Sequence, residues 1–223
     1  MRKILTTLLI FMSISVFAQP QLPGGLDAFV EKNLSYPSYS YRNCIEGVVK
    51  IAFKLTSTGK VYQSSVQSGI GTDLDEEALR LIRKTSGKWK VGAEYDTSTV
   101  IVAPVNFRLQ GSDCDRRSKA EVNSAIAAYQ SQQALTDAIV NFYKKKDTEK
   151  DYTAEEVRIN QLKKDLGYDE AYMKARVEAG EKKWKEGDEQ GACEEFMFVK
   201  NMGFSLADDL IKKYCQPAVQ SSE

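Results

Sequence analysis

Residues 45–109 read IEGVVKIAFKLTSTGKVYQSSVQSGIGTDLDEEALRLIRKTSGKWKVGAEYDTSTVIVAPVNFRL. This stretch decides the fold: strand, turn, strand, helix, strand. In Val48–Leu55, the residues Val49, Ile51, Phe53 and Leu55 alternate with Lys50 and Lys54. That is the period-two pattern of a strand with one buried face. Thr56–Lys60 is a short polar loop containing Gly59, of the kind that closes a hairpin. Val61–Val66 returns as a second strand, and Gly69-Ile70-Gly71 breaks it. Over Asp73–Thr85 the apolar residues Leu74, Ala78, Leu81 and Ile82 form one helical stripe, and Gly87 stops the helix. Thr72 stands three residues before Asp75, a relative of the capping box, and Asp75, Glu76 and Glu77 suit the positive helix end. Thr97–Leu109 is the third strand, with Thr99, Ile101, Ala103, Val105, Phe107 and Leu109 on one face.

Working outward, Arg2-Lys3, the apolar run Ile4–Phe17 and Val16-x-Ala18 make a secretory signal peptide over residues 1–18. The run is shorter than the ~20 residues a membrane-spanning helix needs. Cleavage after Ala18 leaves Gln19 first, with no cysteine there for a lipid anchor. The rival reading is an uncleaved anchor. The 31 basic and 31 acidic residues balance, which gives no basic face for nucleic acid. Strand patterns end at Leu109 and only helical ones follow, so the exported chain divides into two parts.

Cys44, Cys114, Cys193 and Cys215 are an even set in an exported chain, which predicts two disulfides. Four cysteines allow three pairings, and topology selects among them. A strand–helix–strand crossover that keeps the sheet antiparallel puts the third strand beside the first. Cys44, just before the first strand, then meets Cys114, just after the third. Cys193 and Cys215, on two successive helices, make the other bond. With no histidine in the chain, zinc ligation and an activated thiol both lack a partner. We find no nucleophile–base pair, phosphate loop or metal spacing, and expect no enzyme, cofactor or metal site. Asp73, Asp75, Glu76 and Glu77 read as helix N-terminal charge, and Trp89 as a core residue. The tyrosines Tyr36, Tyr39 and Tyr41 flank Pro37 in a loop, where a ligand surface stays open as a reading.

An ordered set of residues carries a family resemblance. Leu22-Pro23-Gly24-Gly25 precedes a helix, and Leu34-x-Tyr36-Pro37 follows it. Then come Ile45-x-Gly47-x-Val49, Phe53, Gly59-Lys60-Val61, Leu74-Asp75-x-Glu77-Ala78-Leu79, Trp89, Gly92 and Pro104-Val105-x-Phe107. Residues 22–109 resemble the C-terminal domain of the TonB family. Val91 stands where that family usually has proline, and Ser38–Cys44 lacks its usual alanine. The resemblance implies a small α+β domain, a three-stranded antiparallel sheet with two helices, over residues 19–111. It also implies that the last strand receives a short extended segment of an outer-membrane transporter. Pro104 fits an edge strand, since proline cannot donate to a sheet ladder, and it serves equally to blunt such an edge. The candidate partner-binding edge is Ser98, Val100, Val102, Pro104, Asn106 and Arg108.

The rest reads as helix: a helical linker over residues 112–151, a helical module over 152–216 and a disordered tail over 217–223. In the linker Val122, Ile126, Tyr129, Leu135, Ile139 and Phe142 are the apolar positions. Tyr172, Ala175, Ala179 and Trp184 are candidate packing positions of the next long helix. Ala192, Cys193, Phe196 and Val199 share a face of the one after it, and Ser205 caps the last. Ala179–Gly203 resembles a single tetratricopeptide-like unit. The functional expectation is a periplasmic, TonB-like adaptor whose edge strand pairs with a protein such as an outer-membrane transporter, or with a second copy of itself. The alternative is a membrane-anchored energy transducer. Against it stand the short hydrophobic run, the absence of a proline-rich arm and the absence of the histidine that the family's anchor helix typically carries.

Overall fold

The computed structural model describes residues 19–109, 113–146 and 150–215. The expected signal peptide over residues 1–18 and the expected tail from residue 217 lie outside the described residues. The element order is α1 (Leu26–Asn33), α2 (Ser38–Arg42), β1 (Gly47–Leu55), β2 (Val61–Ser68), α3 (Asp73–Arg83) and β3 (Ile101–Phe107). A 3-10 turn follows at Asp113–Arg116, then α4 (Lys119–Lys145), α5 (Thr153–Asp165), α6 (Glu170–Lys185), α7 (Glu189–Asn201) and α8 (Asp208–Tyr214). The protein is α+β, a three-stranded antiparallel sheet with helices followed by an all-helical region.

The strand order is β2-β1-β3, with β3 beside β1 as the crossover argument requires. Their pairing runs from Gly47 opposite Phe107 to Phe53 opposite Ile101. Val49, Ile51, Phe53 and Leu55 of β1 are fully buried, and Ala103, Val105 and Phe107 of β3 join them. The stripe Leu74, Ala78, Leu81 and Ile82 of α3 covers that face. Thr72 caps α3 by accepting from the Leu74 N–H at 3.4 Å. Asp75 does not complete a capping box. Its carboxylate accepts from the Ile70 and Gly71 N–H groups instead, both at 2.9 Å.

Several bounds differ from those read in the sequence. The third strand begins at Ile101, not Thr97, because Asp96 diverts the chain into a turn: its carboxylate accepts from the Ser98 N–H and hydroxyl, both at 2.8 Å. Ser38–Arg42, read as loop, is a short helix, which gives the sheet domain three helices rather than two. α8 begins at Asp208 after Ala207, and Ser205 contributes only its carbonyl to the turn before it. On α6 the inward face is Met173, Val177, Gly180 and Trp184, while Ala175 is exposed. Gly180 sits on that face because α7 comes too close for a side chain: a Cβ there would lie 2.5 Å from Phe196 Cε1. On α4 it is Thr136, not Leu135, that is buried.

α4 spans 27 residues, about 40 Å at the helical rise. Ser118 and Glu121 close a full capping box at its start. Its first half puts Val122, Ala125 and Ile126 against the sheet-domain core. Its second half puts Ile139, Val140 and Tyr143 into a second core with Met173, Phe196, Val199 and Met202. Most of the segment read as a linker, Lys119–Lys145, is therefore one helix shared by two cores.

Both disulfides form as paired above. Cys44 bonds Cys114 across a separation of 70 residues, and Cys193 bonds Cys215 across 22.

Candidate protein-binding edge

The sheet has two edges, and the structure treats them differently. Along β2 the Ser64 N–H donates to Gln190 Oε1 at 2.9 Å, and Gln190 Nε2 donates back to the Ser64 carbonyl at 2.7 Å. The side-chain amide on α7 thus pairs with the strand as another strand residue would. Beside it, Arg83 at the end of α3 is only 6% exposed. Its Nε donates to Ser64 Oγ at 2.7 Å, and its terminal nitrogens hold both Glu194 oxygens, each at 2.7 Å. The Val61 N–H is taken by Ser86 Oγ at 3.0 Å. The helical module and the α3 end therefore cover this edge.

β3 pairs with β1 on one side, and its other side is the outer edge of the sheet. Of the residues named for it, Val102, Pro104 and Asn106 lie in the strand and Arg108 just past it, all exposed. Ser98 and Val100 precede the strand and do not belong to the ladder, for the reason given at Asp96. Backbone phase assigns the groups that point outward. Proline has no N–H to give β1, so position 104 belongs to the set whose backbone groups face away from β1. Val102 and Asn106, two residues either side, share that phase. They are the outward N–H donors of β3.

The side chains above this edge are mixed. Val102 lies opposite Ala52, Pro104 opposite Lys50 and Asn106 opposite Val48. Val48 is 45% exposed and Val102 42%, so the uncovered sheet face offers apolar rows flanked by Lys50, Lys54 and Arg108.

Most of the other candidates are spent on structure. Asp73 accepts from the Tyr39 and Ser40 N–H groups at 3.1 and 3.4 Å and from the Ser40 hydroxyl. Glu77 accepts from the Ser35 N–H at 2.8 Å and pairs with Arg80 at 2.6 Å; that hydrogen bond raises the Arg80 pKa. Trp89 packs 5.5 Å from Phe53, and its Nε1 donates to Thr85 Oγ1 at 2.7 Å. The Tyr36 hydroxyl donates to the Ile45 carbonyl at 2.6 Å, and burial raises its pKa. Lys163, its pKa lowered by burial, donates to the Met202 carbonyl at 2.7 Å at the end of α7. Tyr41 remains 55% exposed.

Residues 32–109, which contain β1, β2, α3 and β3, match the family model for the Gram-negative bacterial TonB protein C-terminal. This segment is a TonB-like domain. No curated protein and no solved structure was found to match the chain. Gln190 and Arg83 escaped the sequence reading. Gln190 lies 126 residues from the serine it pairs with and beyond the TonB-like domain. Arg83 reads only as a basic residue in a last helical turn.

Proposed function

We propose that the protein is a non-enzymatic binding protein of the periplasm. Its TonB-like domain receives an extended segment of a protein partner along β3. An outer-membrane transporter of the TonB-dependent kind is the partner class that the likeness suggests. The observation that carries this reading is the asymmetry of the sheet: Gln190 and Ser86 occupy the β2 edge, and β3 keeps outward donors at Val102 and Asn106. An added strand makes main-chain hydrogen bonds for affinity and uses alternate side chains for selectivity.

The test is the double substitution Val102→Pro with Asn106→Pro, which removes both outward N–H groups. The bonds to β1 come from the other phase and persist, so the circular dichroism spectrum stays that of the wild type. Leaving two partner carbonyls unpaired weakens capture of the envelope partner by at least about 30-fold, at ~1–3 kcal/mol for each of the two groups. A folded double variant that co-purifies with the same envelope proteins in the same amounts refutes the edge. A dimer of the wild type that the double variant lacks would identify a second copy as the partner.

Among the described residues no helix is long and apolar enough to cross a membrane. Periplasmic residence after cleavage at Ala18 predicts an intact mass beginning at Gln19 and four hydrogens short, from the two disulfides. A membrane-bound species that keeps Met1 would favour the anchored transducer.

A further inference from the structure

A cleft of about 640 Å³ opens where the helical module leans back on the TonB-like domain. Its size falls in the range of ligand sites. One wall carries Tyr39 of α2 and Tyr129 of α4, ring centroids 5.0 Å apart. The other carries Tyr168 and Tyr172, centroids 5.1 Å apart. Glu76 of α3 and Asp137 of α4, both exposed, line the same cleft. A second, shallower hollow continues it past Tyr129, bounded by Asp75, Glu76 and Asp137.

The charges at this cleft do not cancel. Arg176 and Lys183 share Glu195, each at 2.6 Å, and Glu194 is held by Arg83 at 2.7 Å. Glu76 and Asp137 then face Lys144, which lies two helical turns beyond Asp137. The carboxylates of Asp73 and Asp75 stand behind Tyr129 and are hydrogen-bonded to backbone N–H groups, not to cations. Burial, then Glu76 and Asp73, push the Tyr129 hydroxyl well above its ordinary pKa. Burial raises the Tyr172 pKa, Arg176 beside it lowers it, and Tyr168, Glu195 and Glu76 raise it in smaller measure. The protein already seats one cation on a ring here, Arg176 over Phe198 at 4.6 Å.

Tyrosine faces are electron-rich and attract a cation, and more strongly when neighbouring carboxylates draw it in and the site is partly dry. The alternative occupants fit less well. An anion would meet Glu76 and Asp137, and a purely apolar segment would leave them without partners.

We propose that the cleft between the TonB-like domain and the helical module binds a lysine or arginine side chain carried by an extended segment of a protein partner. Of the residues that line the cleft, the TonB-like domain alone supplies only Tyr39 and Glu76. The cleft exists because α4 is shared by both cores and because Arg83 and Gln190 hold α7 in place. It is a second contact, separate from the β3 edge.

The experiment titrates the full chain with a blocked peptide, acetyl-Gly-Gly-Arg-Gly-Gly-amide, and follows the tyrosine ring resonances. The control is the same peptide with citrulline, which keeps the shape of arginine and lacks its charge. The arginine peptide binds saturably at Tyr39, Tyr129, Tyr168 and Tyr172, at least about fivefold more tightly than the citrulline peptide. Tyr129→Leu removes the preference. Tyr129→Phe retains it, because the ring and not the hydroxyl receives the cation. Glu76→Gln with Asp137→Asn weakens binding of the arginine peptide by at least about fivefold. The edge double variant at Val102 and Asn106 binds the peptide as the wild type does. Equal binding of the citrulline peptide, equal damage by Tyr129→Phe and Tyr129→Leu, loss in the edge variant, or no saturation by ~10 mM overturns the proposal.

Discussion

Replacing Cys44 and Cys114 together by serine lowers the free energy of unfolding by about 4 kcal/mol on the chain-entropy account. The bond closes a loop of 70 residues that contains the whole sheet, from before β1 to after β3. Cutting it releases a long loop in the unfolded chain, and a longer loop costs more entropy to close. Total stabilities of domains are about 5–15 kcal/mol, so the loss moves the urea midpoint far down. Cys193–Cys215 closes only 22 residues, and its removal costs about 3 kcal/mol on the same account. Near Cys114 the Arg117 guanidinium donates to the Arg42 carbonyl at 3.0 Å, and Val122 in the first turn of α4 packs on the sheet-domain core. Equilibrium urea titration of the paired serine variants measures both losses. A change under about 1 kcal/mol for the first pair would show that the unfolded chain is already constrained there by other means.

Replacing Phe196 by alanine costs about 4 kcal/mol, within the 3–5 usual for a buried phenylalanine. Phe196 is fully buried and fills the space that Gly180 leaves open on α6. Its ring lies parallel to that of Tyr214, 6.4 Å away, and Tyr214 in turn sits 4.3 Å from Trp184. Three helices therefore lose contact through one truncation. The consequence reaches the sheet, because Phe196 lies on the same helix as Gln190 and Glu194. When α7 loosens, the Ser64 N–H loses its acceptor and its hydrogen exchange accelerates. The amides of Val49 and Ile51 in the central strand keep their protection, since their side chains lie in the other core. Exchange followed by mass spectrometry or NMR separates these outcomes. Uniform loss of protection over both cores would show that the two cores unfold as one unit.

The TonB-like domain was legible where burial follows a simple period. The alternation of Val49, Ile51, Phe53 and Leu55, and the stripe from Leu74 to Ile82, announce one buried face each. Pro104 announced an edge, because a missing N–H has a single structural consequence wherever it occurs. Cys44–Cys114 followed once strand order was argued from the crossover, and Cys193–Cys215 from two successive helices. Errors came where a local interaction overrode the pattern. Thr97 and Thr99 continue the alternation of β3, yet Asp96 ties Ser98 into a turn. On α6 the inward position is a glycine, which no hydrophobic count selects, and so the face was read around Tyr172 and Ala175. On α4 the buried residue at its middle is Thr136, whose hydroxyl bonds the Gln132 carbonyl at 3.1 Å and Tyr168 at 2.8 Å.

By itself, the sequence determined the sheet and its crossover helix, the resemblance of residues 22–109, the disulfide pairing and the outward run at Val102, Pro104 and Asn106. The elements and the edge follow from near neighbours, through side-chain periodicity, a capping residue and a proline, and the Cys44–Cys114 pairing follows from the strand order these elements imply. Only the tertiary structure decided that α4 belongs to two cores, that Gln190 closes the β2 edge and that tyrosines from three helices and the α5–α6 turn line one acidic cleft. These depend on where distant segments meet in space. A glutamine that pairs with a strand 126 residues away carries the same local pattern as any glutamine on a helix surface, because its partner is chosen by packing and not by spacing.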